Sequence, residues 1–348
     1  MRIAAEGISF GFRAATGLLD GFEVLDNGRR IAPLHRAPWV GTDERMPEGE
    51  APLMAHLGGD FFCAPFALAE GGAPLHGWPP NAPWTVRSTF GGHLKAVLGK
   101  KVQGAALMKD LWVIDGHPFV YQKHLFYDGQ GRISFANHAN VSVPNGALIR
   151  TSAKSHWETP QTPQESDPAR GRSALAYPAR ATDPRDFPGP GGPSDLTRYP
   201  WNPRHEDFVV GVEAKGHWLG WTAVTRPAER DLYLSLRKTR QMPMTMLWHS
   251  NGGRDYAPWS GRHFGCLGVE EGAAAHMLDI STEADLCGPG ALDLVPGGFA
   301  TVTHVIGAID WPMGEPVASI TALDAAMCIT GEGGATRTVP CMTALLRD

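Results

Sequence analysis

The chain has 348 residues, 43% of them hydrophobic and 19% charged, a composition that builds a folded core and excludes an intrinsically disordered chain. Its net charge of −5 offers no basic surface, so no nucleic-acid partner is expected. The five cysteines are scattered with no CxxC pair and read as reduced, mostly buried thiols instead of disulfides or a zinc site.

Residues 1–20 lack the apolar stretch of a signal peptide, because Glu6, Arg13 and Asp20 interrupt it. No charge-free apolar run is long enough to span a bilayer. The expectation is a cytoplasmic protein with no membrane partner. The 42 glycines and 29 prolines punctuate short segments and suit helix interiors poorly, which favours β architecture.

The first clear set of strands is predicted at 101–108, 110–114, 119–126, 132–143 and 147–153. Asp115-Gly116, Asp128-Gly129-Gln130-Gly131 and Asn145-Gly146 separate them, and such pairs supply the positive φ angles of tight hairpins. An antiparallel meander is the expectation. Residues 160–205 follow, with ten prolines and little apolar alternation. Loops that long are uncommon inside a compact domain. The reading is a long excursion over one side of a sandwich, forming part of a cleft wall or an oligomer contact. A homodimer is compatible with it.

A second meander is predicted at 207–212, 218–224, 232–236 and 242–248, and a third, weaker set at 292–295, 300–306, 318–323 and 327–329. Helical periodicity is nearly absent; 273–286 is the one predicted helical turn. The fold class is therefore all-β, a large antiparallel sandwich, with 1–348 read as one domain.

Four segments concentrate residues able to do chemistry. The first runs from Gly58-Gly59-Asp60 through Pro65-Phe66 to His76-Gly77 and Asn81. The second is Ala136-Asn137-His138-Ala139-Asn140, the third Leu247-Trp248-His249-Ser250-Asn251, and the fourth Gly268-Val269-Glu270-Glu271. Neighbouring strand residues face opposite sides, so only one of Glu270 and Glu271 enters a cleft. Ala136, His138 and Asn140 share one small, polar face, as a cleft floor requires. The histidine spacings form no tight metal-binding set, and no metal or organic cofactor is expected.

Pro65-Phe66, His76-Gly77, Asn137-His138, Trp248 and Gly268-Val269-Glu270, in that order, resemble the galactose mutarotase-like superfamily, as a distant member of its aldose 1-epimerase family. The resemblance covers about residues 58–275. The Arg that active mutarotases carry soon after Pro-Phe is absent, since Ala67-Leu68-Ala69-Glu70 stands there. The resemblance implies a sandwich with a sugar cleft and an isomerase that exchanges the anomers of a free or modified monosaccharide. It implies Glu270 as base and His138 as acid. Substrate contacts are expected from His76, Asn81, Asn140, Asp207, Trp248, His249 and Arg262, while Arg254 is expected on a solvated loop. Two alternatives stand beside it: a non-catalytic carbohydrate-binding protein, and a sugar lyase or hydrolase on the same sandwich.

Overall fold

Strands that are apolar on both faces need a covering layer on each side, and this chain supplies one. In the strand Asp231–Lys238, Leu232, Leu234 and Leu236 pack outward under a C-terminal sheet, while Tyr233 points between the two main sheets. The computed structural model describes residues 1–69, 71–278 and 283–347.

The larger sheet has 11 strands. At its centre the order is Leu18–Asp26, Asp60–Cys63, Phe135–Ser142, Cys266–Ala273, Met244–Asn251, His205–Glu213 and Lys154–Glu158. Facing it is a nine-stranded sheet that includes Leu219–Arg226, Asp231–Lys238, Phe299–Asp310, Phe119–Tyr127 and Ala106–Trp112. Neighbouring strands in both run antiparallel. Phe10, Phe62, Phe126, Val141 and Ile306 fill the space between them. A three-stranded sheet, Val317–Ala322, Ala326–Gly331 and Thr336–Pro340, covers the outer face of the nine-stranded one. Among the described residues no helix is long and apolar enough to cross a membrane.

The two predicted meanders are corrected. The segments 101–108 and 110–114 straddle the single strand Ala106–Trp112. After Phe119–Tyr127 the chain passes to the other sheet with Phe135–Ser142, and in the later set His205–Glu213 and Met244–Asn251 belong to the larger sheet while the hairpin between them, Leu219–Arg226 and Asp231–Lys238, belongs to the smaller. Hairpin signals show where the chain turns but not which layer it turns into. The predicted helical turn at 273–286 is also corrected: the strand runs on to Ala273, and short 3-10 turns occupy Ala275–Met277 and Glu283–Asp285. Residues 279–282 of that segment lie outside the described residues.

The Pro-rich excursion joins the edges of both sheets. Arg180–Ala181 pairs with Lys154–Glu158 in the larger, and Arg198–Tyr199 pairs with Ala147–Thr151 in the smaller. Its early part, at Pro160, Thr162, Pro163 and Gln164, walls a cavity on the outer face of the larger sheet.

Candidate functional site

The cavity forms where the central strands expose alternate side chains on the face away from the core. Phe135–Ser142 and Cys266–Ala273 pair so that His138 lies directly opposite Glu270. His138 Nε2 and Glu270 Oε1 are 3.1 Å apart, and each side chain is under 5% exposed. Phe61, on the adjoining strand, stacks on the His138 ring with centroids 4.4 Å apart. On the other side, Trp248 meets the same ring edge-on at 5.9 Å.

Gly268 makes room for this cluster. It shares the cavity face with Glu270, and a Cβ there would lie 2.8 Å from Glu270 Oε1 and 2.9 Å from Trp248 Cβ. The His-Gly pair has a similar cause. Gly77 has φ +74°, and a Cβ on it would come 2.0 Å from the Ala64 carbonyl oxygen. Only glycine lets this loop lie against the strand end, and that approach sets the His76 ring edge-on to His138, 5.4 Å away.

Burial dominates the electrostatics. It pushes the Glu270 carboxyl well above the usual range and the His138 imidazole well below its own. His76 is brought down to about 4 by the same cause. Charging any of these groups is opposed by desolvation. The favoured pair is a protonated carboxyl beside a neutral imidazole.

The cavity measures about 400 Å³, within the ordinary range for small-molecule sites. Its walls are largely apolar: Leu53, Met54 and Leu57 from the loop before Asp60–Cys63, with Phe66, Phe208, Trp248 and Trp259. Behind Trp248 lies Glu206, which accepts from Trp248 Nε1 at 2.5 Å and Ser250 Oγ at 2.9 Å, and is ion-paired with Arg254 at 2.7 Å. The Arg254 guanidinium sits over the Trp259 ring at 4.1 Å and hydrogen-bonds Gln164.

Of the residues expected at the site, His138, Glu270, His76 and Trp248 converge on the cavity. The other five lie elsewhere. Asn81 spends its amide on the backbone of Leu53, Leu75 and Gly77. Asn140 is held under loop 32–59, with Nδ2 on the Gly59 carbonyl. Asp207 faces the core side and accepts from Ala174 N, Leu175 N, Tyr177 Oη and His205 Nδ1, fastening the Pro-rich excursion. His249, also on that side, packs its ring against Trp201, tilted by 33° with centroids 3.8 Å apart. Arg262 is on the surface, paired with Glu44.

Sequence reasoning took Asp207 in place of its neighbour Glu206, left out Trp259, and put Arg254 on a solvated loop, whereas its side chain is 15% exposed and lines the cavity. The strand register places Glu206. Phe208 pairs with Trp248 and Glu206 with Ser250, so the cavity face of that strand carries Glu206 and not Asp207. Glu271 is settled the same way: it points between the sheets, where Arg237 Nη1 lies 2.9 Å from its carboxylate.

No family model and no curated protein matches the chain in sequence. Solved structures match in shape. A galactose mutarotase related enzyme from Lactobacillus acidophilus aligns with a TM-score of 0.57 at 8% identity, over 89% of this chain and 97% of that one. The Slr1438 protein of Synechocystis sp. PCC 6803 gives 0.56 at 12% identity, over 89% and 95%. A candidate aldose 1-epimerase from Escherichia coli K12 gives 0.54 at 12% identity, over 88% and 97%. The fold is the galactose mutarotase-like sandwich, as expected from the ordered motifs.

Proposed function

We propose that the protein exchanges the anomers of a sugar bound in this cavity, by proton transfer through Glu270 and His138. The observation that carries this reading is their 3.1 Å contact at the cavity floor. Anomer exchange needs one group to take the C1 hydroxyl proton and another to protonate the ring oxygen. Both oxygens are bonded to C1, so the two groups must be neighbours.

With the pair neutral at rest, Glu270 donates its proton to the ring oxygen as the C1–O bond breaks. His138 accepts the hydroxyl proton as the C1 carbonyl forms. The pair is then carboxylate and imidazolium. After rotation about the adjacent C–C bond, ring closure runs the transfers backwards on the other carbonyl face and restores the neutral pair. The resemblance implies the opposite opening step, with Glu270 as base at the C1 hydroxyl and His138 as acid at the ring oxygen; with the pair neutral at rest these roles are exchanged.

The remaining groups bind. His76 Nδ1 faces the Ala67 amide at 3.4 Å, which leaves Nε2–H as a donor to a substrate oxygen. Trp248, Trp259 and Phe66 offer faces for the apolar side of a sugar ring. Arg254 supplies a donor whose position Glu206 fixes.

A second reading, sugar binding without turnover, draws on the apolar walls and on the displacement of five expected polar contacts. One experiment separates them. Saturation-transfer NMR over an aldose panel is expected to show accelerated exchange that Glu270→Gln lowers by about 10²–10⁴-fold, the usual worth of a positioned acid–base group. Exchange unchanged in Glu270→Gln refutes the catalytic reading. Calorimetric binding with no exchange in the parent protein selects the second.

A further inference from the structure

Three metal-ligating side chains, far apart in sequence, meet beneath loop 32–59 on the same sheet face as the cavity. His35 Nε2 and His263 Nε2 face each other at 3.2 Å. Cys266 Sγ joins them, and the three donor atoms lie within 4.8 Å of one another. We infer that His35, His263 and Cys266 bind a thiophilic d10 cation, with zinc(II) as the reference, and that Asn140 Oδ1 is the fourth corner.

The hydrogen bonds fix the tautomer of one ligand. Glu206 accepts from Trp248, Arg254 and Ser250. A hydroxyl carries a single proton, and Ser250 gives its own to Glu206. Toward His263 Nδ1, 2.7 Å away, Ser250 Oγ therefore accepts. Nδ1 of His263 holds the ring proton, and Nε2 presents its lone pair to the space shared with His35. Metal-ligating histidines are held by such a relay.

The distances fit the same ion. Zinc–nitrogen bonds of about 2.0–2.1 Å and zinc–sulfur bonds of about 2.3 Å, at tetrahedral angles, put two nitrogens about 3.3 Å apart and nitrogen and sulfur about 3.6 Å apart. The histidines already meet the first separation. Cys266 Sγ lies within 4.8 Å of both nitrogens, so closing the second takes a shift of about 1 Å. Its thiol has only a long contact to Asn140 Oδ1, at 3.7 Å, so the same oxygen is already beside the sulfur. The backbone is set as well: His35 N donates to Asn140 O at 2.7 Å, and His35 O accepts from Gly59 N at 2.9 Å.

On binding, the Cys266 thiol releases its proton to solvent as the metal–sulfur bond forms. His35 moves its ring proton from Nε2 to Nδ1. The site would staple loop 32–59, which carries Leu53, Met54 and Leu57 of the cavity wall, to the central strands.

The test is cobalt(II) titration of the chelator-treated full chain. One cobalt per chain is expected, with tetrahedral bands in the visible and a thiolate charge-transfer band in the near ultraviolet, both erased by zinc. Cys266→Ser should abolish the charge-transfer band, and His35→Ala should weaken cobalt binding at least tenfold. His35 is on a partly exposed loop, so its variant decides the matter if Cys266→Ser does not fold. Absent visible bands, a charge-transfer band that survives Cys266→Ser, or undiminished binding by His35→Ala overturns the inference.

Discussion

Glu270 and Glu271 are consecutive in one strand yet occupy opposite sides of the sheet. Glu270 meets His138 at the cavity floor. Glu271 is buried between the sheets, accepting from Thr222 Oγ1 at 2.6 Å and Thr245 Oγ1 at 2.9 Å beside Arg237. Strand alternation alone gives two identical side chains these different environments.

The first prediction separates the two. Glu271→Ala strips Arg237 of one of its two carboxylate partners, the other being Glu213. Breaking a buried ion pair from one side costs about 3–5 kcal/mol. Urea unfolding should show a loss of that order. Glu270→Gln keeps a neutral, similarly shaped group where burial already favours the neutral acid, so stability should change by less than about 1 kcal/mol while anomer exchange collapses. Equal stability losses in the two variants would contradict these assignments.

Gly268→Ala makes the second prediction. The added methyl must push on both Glu270 Oε1 and Trp248. Overpacking of this kind costs about 1–3 kcal/mol, and here the strain falls on the reacting carboxyl. A folded protein with a lowered melting midpoint and at least tenfold slower exchange is expected. An alanine variant with parental exchange rates would show that the carboxyl position does not matter.

Asn81 and Arg262 form the third. Both carry groups suited to sugar hydroxyls, and the structure gives them other work. Asn81→Ala leaves the Leu53 amide and the Leu75 and Gly77 carbonyls without their side-chain partner, a loss of about 1–3 kcal/mol for buried groups. Because Gly77 follows His76, exchange should slow as well. Arg262→Ala should leave both stability and exchange within about twofold, since its pair with Glu44 is at the surface. A large rise in KM for Arg262→Ala would return that residue to the site.

Much of this was legible in the sequence wherever a local pattern carries the information. Gly/Asp and Gly/Asn pairs marked where the chain turns, and the alternation through Ala136, His138 and Asn140 identified the cavity face of that strand. Choices that depend on pairing between distant strands were not legible. Nothing near His205-Glu206-Asp207 says which carboxylate faces out; the register against Trp248 and Ser250 decides it. Arg254 looks like a loop residue until Glu206, Gln164 and Trp259 surround it. Likewise His35 and His263 are separated by most of the chain, so no spacing could have joined them.

The fourth prediction concerns pH. Burial lowers His35 and His76 to about 4 and His304 to about 3, against an ordinary value of about 6.5. Below that value the unfolded chain takes up protons that the native histidines refuse. Their contribution is thus complete above about pH 6.5 and is lost as the pH falls toward 4. Asp60 has the opposite sign. Its carboxyl is pushed up to about 6 by burial, so the native state holds that proton more tightly between about pH 4 and 6 and offsets part of the loss. The histidines outnumber it, and melting midpoints should fall steadily from pH 7 to pH 5. His304 Nε2 shares a hydrogen bond of 2.8 Å with Ser235 Oγ. His304→Gln keeps a polar partner there and removes one titrating group, which should flatten the slope of unfolding free energy by about 1.4 kcal/mol per pH unit. Urea melts of parent and variant at pH 6.5, 5.5 and 5.0 measure it. A variant whose slope equals the parent's would mean that His304 is already protonated in the folded protein.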